Sequence, residues 1–275
     1  MPIARALSDA RKALAEASPT PDLDAEVLLA HVLRTDRSAL RVRSDEELSP
    51  ALRKEFNALV KRRKGGEPVA YITGMKEFWS MPLTVTPDVL VPRPETEMLV
   101  EWGASVHPER ILDLGTGSGC IALALAKELP DAQVVAVEQS GQAIPVALGN
   151  AQRLKIPNVR FQRATFDDFL SAPAKAPFDL IVSNPPYIPE DDPHLEELRH
   201  EPRTALESGQ DGLRDLRTIV AKAPAHLARG GWLLVEHGAE QGSAVRRLFA
   251  SAGFKLVETR QDLAGLDRVT GGKKT

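Results

Sequence analysis

The 275-residue chain carries a single cysteine, Cys120, which excludes an intrachain disulfide and suits a reducing compartment. It has no apolar run near the roughly 20 residues that a membrane span requires. Its opening, MPIARALSDARKALAEA, is an amphipathic charged helix pattern and not a signal peptide. Neither sign of charge dominates: 35 basic and 38 acidic side chains leave a net charge of -3, which argues against a protein that wraps nucleic acid. The six histidines are scattered, and His194 and His200 are spaced wrongly for a metal pair on one helix face, so no metal site is expected. Repeats and low-complexity tracts are also missing. What is left is the composition of an ordinary globular protein, 43% hydrophobic and 27% charged, expected in the cytoplasm.

The length suits one main domain and a smaller one. Residues 1–70 read as a small helical domain. Leu7, Ala10 and Leu14, then Val27, Leu28, His31 and Val32, recur at three and four, and Ser49 before Pro50 is a helix start. Residues 71–95 are rich in β-branched residues and proline and read as a hairpin or extended linker. From about residue 96 to 275 short apolar strands alternate with helical stretches: RILDLG, AQVVAVE, VRFQRA, FDLIVS and GWLLVEHG each precede or follow a helix pattern. That alternation predicts an α/β fold, a Rossmann-like, doubly wound and mostly parallel sheet covered on both faces. The last stretch, FKLVETRQDLAGLDRVTGGK, predicts two more strands turning at Gly265, an antiparallel end to the sheet.

Ligands of such sheets bind at the carboxyl ends of the strands, where three features fall. LDLGTGSGC joins the first strand of the sheet to a helix through Gly115, Gly117 and Gly119, whose freedom lets backbone approach a ligand at a helix N-terminus. Glu138 ends the next strand, where a carboxylate can accept both hydroxyls of a ribose; loop and acid together point to a nucleoside-containing cofactor. SNPPYIPE, residues 183–190, ends the fourth strand. Its prolines hold their predecessors extended and remove donors, so nearby carbonyls stay unpaired.

DLGTGSGCIALALA, Glu138 and NPPY together resemble the class I S-adenosylmethionine-dependent methyltransferases that modify planar exocyclic or amide nitrogens. With VLVPRPETE, HEPRTAL, LLVEHGAEQG and the helical start, the resemblance narrows to the release-factor glutamine N5-methyltransferase family, HemK or PrmC, and covers essentially the whole chain. It implies methyl transfer from S-adenosyl-L-methionine, leaving S-adenosyl-L-homocysteine, to the glutamine of the Gly-Gly-Gln tripeptide in class I peptide-chain release factors, gripped also by the helical domain. By the same resemblance, Gly115, Thr116, Gly117, Ser118 and Gly119 line the methionine part of the cofactor, Glu138 its ribose, and Thr165 and Phe166 its adenine. Thr165 stands where the family usually has Asp, and Asp167 is a second candidate for that contact. Asn184, Pro185, Pro186 and Tyr187 hold the target amide, with Asn184 also beside the cofactor. Arg93, Pro94, Glu95 and Thr96 form a lid near cofactor and target.

Two other readings of the same residues stand beside this one. An adenine-N6 methyltransferase of DNA or RNA shares NPPY, but residues 79–275 hold 21 basic and 26 acidic side chains, a net of -5, where phosphate binding rewards a basic face. A non-catalytic adaptor that binds the cofactor only to fold has no use for an intact NPPY. KRRKGG, residues 61–66, places four basic residues at a helix C-terminus, where the macrodipole favours them; it is also a candidate for docking a partner.

Overall fold

The computed structural model describes residues 1–174 and 176–275, and the chain divides into two compact units, Met1–Met75 and Lys76–Thr275. The first is helical. Helix α1 (Ile3–Leu14) buries Ile3, Leu7, Ala10 and Leu14, spaced so that all four fall on one face. It packs with α2 (Pro21–Leu33), α3 (Arg37–Val42) and α4 (Pro50–Lys64) around Leu14, Leu28, Leu29, Leu40 and Phe56. Pro50 opens α4 behind Ser49, whose hydroxyl accepts the Leu52 amide at 3.3 Å. The buried Asp24 is fully partnered, by the hydroxyls of Ser18 at 2.7 Å and Thr20 at 3.2 Å and by the Arg63 guanidinium at 2.6 Å. Arg62 is likewise bonded to Glu67, so two of the four basic residues in KRRKGG serve this unit's own structure. The unit extends past residue 70 because α5 (Val69–Thr73) adds one more helical turn, ended by Gly74 at φ 72°. Its β-branched residues disguise it as extended chain in the sequence.

At the boundary between the units begins the hairpin of β1 (Met75–Phe78) and β2 (Met81–Thr84), all but its first residue in the second unit and turned by Trp79 and Ser80 at φ 51° and 54°, the left-handed pair that matches strand twist. Irregular chain leads to a 3-10 turn, Pro94–Thr96, and α6 (Glu97–Ser105). Then follow β3 (Arg110–Leu114), α7 (Cys120–Glu128), β4 (Gln133–Glu138), α8 (Ala143–Leu154), β5 (Val159–Arg163), α9 (Phe166–Ser171) and β6 (Phe178–Ser183). The chain closes with α10 (His194–Glu197), α11 (Arg214–Lys222), β7 (Leu227–Glu236), α12 (Gly242–Ser251), β8 (Lys255–Gln261) and β9 (Asp267–Lys273).

The strand order is β5-β4-β3-β6-β7-β9-β8, parallel through β7, with β9 antiparallel to β7 and to β8. Two apolar layers cover the sheet. Ile111, Leu180 and Leu234 meet α6, α7 and α8 through Val100, Leu123 and Ala151. Leu112, Ile181 and Leu233, each one residue away from its counterpart in the same strand, meet α9, α11 and α12 through Leu170, Ile219 and Phe249. Burial on both faces is why these strands read as unbroken apolar runs and not as alternating ones. After β3 the chain steps outward to β4 and β5, then returns to lay β6 on the other side of β3. This reversal opens a crevice at the carboxyl ends of β3 and β6, the place where open α/β sheets bind ligands. Among the described residues, no helix is long and apolar enough to cross a membrane.

Candidate active site

The glycine loop follows β3 directly. Gly115, Gly117 and Gly119 take φ of 79°, 54° and 86°, a left-handed conformation that residues with a Cβ adopt at a cost. The amides of Gly115 and Thr116 both bond the Val137 carbonyl, at 2.8 and 3.0 Å, tying the loop to the end of β4. Glu138 then turns back onto it, accepting the Gly117 amide at 2.9 Å and the Ser140 amide at 2.8 Å. The Phe166 ring closes one side so tightly that a Cβ on Gly115 would stand 3.0 Å from it.

Two adjoining cavities result. One is bordered by Gly115, Gly117, Glu138, Ser140, Phe166 and Asn184. The other is bordered by Arg93, Asn184, Pro185, Tyr187, Ile188 and Leu206. They share a wall at Asn184, with Leu90 and Ala205 beside it. The structure therefore brings Gly115, Gly117, Glu138, Phe166, Asn184 and Pro186 to one cleft, and Arg93, Asn184, Pro185 and Tyr187 to its neighbour.

Five other residues named from the sequence lie off these walls. Thr116 and Ser118 are buried beneath the loop, and Gly119 starts α7. Thr165 is exposed and caps α9: its hydroxyl accepts the Asp168 amide at 3.0 Å and donates to the Asp168 carboxylate at 2.7 Å. Asp167 forms an ion pair with Lys222 of α11 and is committed there.

The NPPY segment is held from several elements. Asn184 donates its side-chain N–H to the Thr96 hydroxyl at 3.2 Å, which leaves its amide oxygen for the cavities. Among the described residues no N–H reaches the carbonyl of Pro185. The Tyr187 and Ile188 amides bond the Leu206 carbonyl at 3.2 and 2.8 Å, and Gln241 donates to the Tyr187 carbonyl at 3.0 Å. The Tyr187 phenol donates to Glu236 at 3.3 Å. The chain before α6 is pinned by the buried Glu201, which accepts the Val91 amide at 3.1 Å and pairs with Arg93.

Two buried carboxyl groups at this end of the sheet escaped the sequence reading. Asp113 lies inside β3, and burial pushes its pKa up to about 7; Thr116 and Ala122 pull it down, and Glu138 adds to the rise. The Thr116 hydroxyl and the Ala122 amide lie near Asp113, but neither completes a hydrogen bond of good geometry: both Asp113 oxygens, with the hydroxyls of Thr116 and Ser118, are buried without one among the described residues. Glu236 ends β7, and burial raises its pKa to about 7 as well. Their signal in the sequence is an acid inside an otherwise apolar strand, in RILDLG and WLLVEHG. Such a strand cannot solvate the charge, so the acid marks a local polar site.

A doubly wound sheet with a glycine loop, an acid at the next strand's end that closes on that loop and NPPY beside the switch point defines a class I S-adenosylmethionine-dependent methyltransferase. The PrmC N-terminal domain family matches residues 5–74, and a methyltransferase domain family matches residues 107–252. The release factor glutamine methyltransferase of Aliivibrio fischeri is 48% identical over 94% of this chain and 92% of its own. That of Escherichia coli is 46% identical over 94% of each chain. The chain belongs to the release factor glutamine methyltransferase family. The fold is also shared with a methyltransferase from Pyrococcus furiosus, at 17% identity and a TM-score of 0.54, over 79% of this chain and 97% of that one.

Proposed function

We propose that the chain methylates the N5 side-chain amide nitrogen of the glutamine in the Gly-Gly-Gln motif of class I peptide-chain release factors. The observation that carries the reading is the wall at Asn184 shared by two adjoining cavities, the one beside the glycine loop assigned to the cofactor and the one beside NPPY to the target amide. The residues present fit S-adenosylmethionine. Glu138 uses its two oxygens to receive backbone amides and keeps further lone pairs for ribose hydroxyls. Phe166 offers a ring for adenine. The unpartnered oxygens of Asp113, Thr116 and Ser118 supply polar partners beneath the loop of Gly115 to Gly119, beside the place for the methionine part. When bound, the cofactor supplies an electrophilic methyl group on a sulfonium.

The rest of the chemistry falls to the protein. A carboxamide nitrogen is a poor nucleophile because its lone pair is delocalised into the carbonyl. Two acceptors on its two N–H bonds draw it toward the pyramidal geometry from which it attacks. The Asn184 side-chain oxygen, freed by the bond to Thr96, serves one N–H, and the unpaired Pro185 carbonyl serves the other. Tyr187 lines the same pocket and flanks the planar amide. Neither acceptor is a strong base, so the site works by placement and preorganised dipoles. The helical unit, whose family match is to the PrmC N-terminal domain, is assigned to gripping the release factor.

The test offers cofactor labelled in its methyl group to a release factor, to a variant of that factor with the glutamine replaced, and to DNA and RNA. Label is expected on the intact release factor alone. Label on the nucleic acids would support the adenine-N6 reading, and label on nothing would support the adaptor.

A further inference from the structure

Glu236 takes no part in the chemistry above, yet it is 2% exposed and sits directly behind the target pocket. Tyr187 donates to its Oε1 at 3.3 Å, while its Oε2 is buried without a hydrogen-bond partner among the described residues and has the Thr96 hydroxyl as a neighbour that pulls its pKa down. Thr96 in turn accepts the Asn184 side-chain N–H at 3.2 Å. We propose that Glu236 is a positioning residue: as a carboxylate it takes the hydroxyl hydrogens of Thr96 and Tyr187, and thereby fixes Asn184 with its amide oxygen toward the substrate. The inference rests on the glutamine-methylation reading.

The reason is the direction of the hydrogen bonds. A hydroxyl has one hydrogen. When that of Thr96 points at a carboxylate, its oxygen faces Asn184 as an acceptor, and Asn184 must offer its NH2 there. The amide oxygen is then left for the substrate. A protonated Glu236 can donate to Thr96 instead, whose hydrogen turns to Asn184. The Asn184 amide then flips and presents a donor to the donors of the target amide. Orientation of Asn184 is thus tied to one proton on a residue that never touches the substrate.

Among the described residues the charged and titratable groups that act on Glu236 are Tyr187, Glu95 and Arg268, and the buried Cys120 thiol feels the charge of Glu236. Burial raises its pKa most, the Thr96 and Tyr187 hydroxyls oppose that, Glu95 adds to it and Arg268 lowers it, with a result of about 7. Arg93 acts on the neighbouring Tyr187. His237, the next residue, is committed to Thr270 at 2.8 Å and to the Gly238 carbonyl at 2.9 Å, and burial lowers its pKa. Being a carboxyl group, Glu236 is charged above about pH 7 and neutral below it, so the productive orientation is lost as pH falls.

The test uses the full chain in two ways. In turnover, the wild-type kcat on a release factor should fall below about pH 7. Glu236→Gln should lower kcat about 10- to 100-fold at pH 8, leave KM for the cofactor within about threefold, and remove the acidic limb. Thr96→Ser should keep activity. Thr96→Val should lose as much as Glu236→Gln, and the double variant no more than either. The second readout needs no turnover. The chain has two tyrosines, Tyr71 and Tyr187. In protein labelled with 13C at the tyrosine ζ carbon, the Tyr187 resonance should titrate near pH 7 in the wild type and stay flat in Glu236→Gln. An acidic limb that survives in Glu236→Gln, or a Tyr187 signal that does not titrate in the wild type, overturns the inference. A wild type that fails to methylate the release factor sinks the reading beneath it, while the tyrosine titration still decides whether Glu236 ionises against Tyr187.

Discussion

Asn184 stands on the boundary between the two cavities and is oriented by one hydrogen bond to Thr96. On the proposed mechanism, its truncation removes the acceptor that matters most as the target nitrogen pyramidalises. Asn184→Ala is therefore expected to lower kcat about 100-fold or more, with cofactor Kd within about tenfold; measuring turnover and calorimetric binding side by side checks it. Thr165 poses a different question, because its hydroxyl is spent on capping α9. Aspartate caps a helix as well as threonine and keeps a second oxygen free. Thr165→Asp should tighten cofactor binding about fivefold, roughly 1 kcal/mol. Asp167→Ala should leave it unchanged, since that carboxylate is engaged by Lys222. Equal titration curves for Thr165→Asp and wild type would mean that the cap holds the new carboxylate away. At this scale the sequence was most legible where residue type and local geometry coincide, as in the glycine loop and NPPY. Asp113 and Glu236 were not legible as site residues. Their environments are assembled by Thr116 and Glu138 in one case, and by Thr96 and Tyr187 in the other, and most of these lie on other elements.

The elements that place these residues depend on close backbone approach. Gly212, at φ 70°, lies against the Tyr187 carbonyl; a Cβ there would collide with it and stand 2.7 Å from the Gln241 side-chain nitrogen that bonds it. Nothing in the surrounding sequence, SGQDGLRD, announces this, because the partner is 25 residues away in the chain only by number and adjacent by folding. Gly212→Ala should push the NPPY segment out of register, lowering kcat at least tenfold and the melting transition of the sheet unit by several degrees; a variant with wild-type kinetics would show that the loop yields. The core strands were legible for the opposite reason. Buried on both faces, they carry their signal in their own residues, as do the Ser49 cap and the turn at Gly265. Helix α5 was hidden by Val69 and Ile72, whose shape suits a strand as well, and only its packing in the helical core settles the matter.

At the scale of the whole chain, each unit closes its own apolar core. The helical one is built around Leu14, Leu28, Leu29 and Phe56, and the sheet unit has a layer on either face. Every residue assigned to cofactor or target lies in the second unit, within Lys76–Thr275. Legibility followed the same division: the change from helical period to strand alternation is a property of long stretches and survives local ambiguity. Separate cores have a consequence for heat. Calorimetry of the full chain should resolve two endotherms in place of one, so that no single melting temperature describes the protein. Saturating S-adenosylhomocysteine, at about 100 times its Kd, adds roughly 2.7 kcal/mol to the unit that binds it. One endotherm should therefore climb with added ligand while the other stays fixed, and a scan in which both climb together would show that the units melt as one.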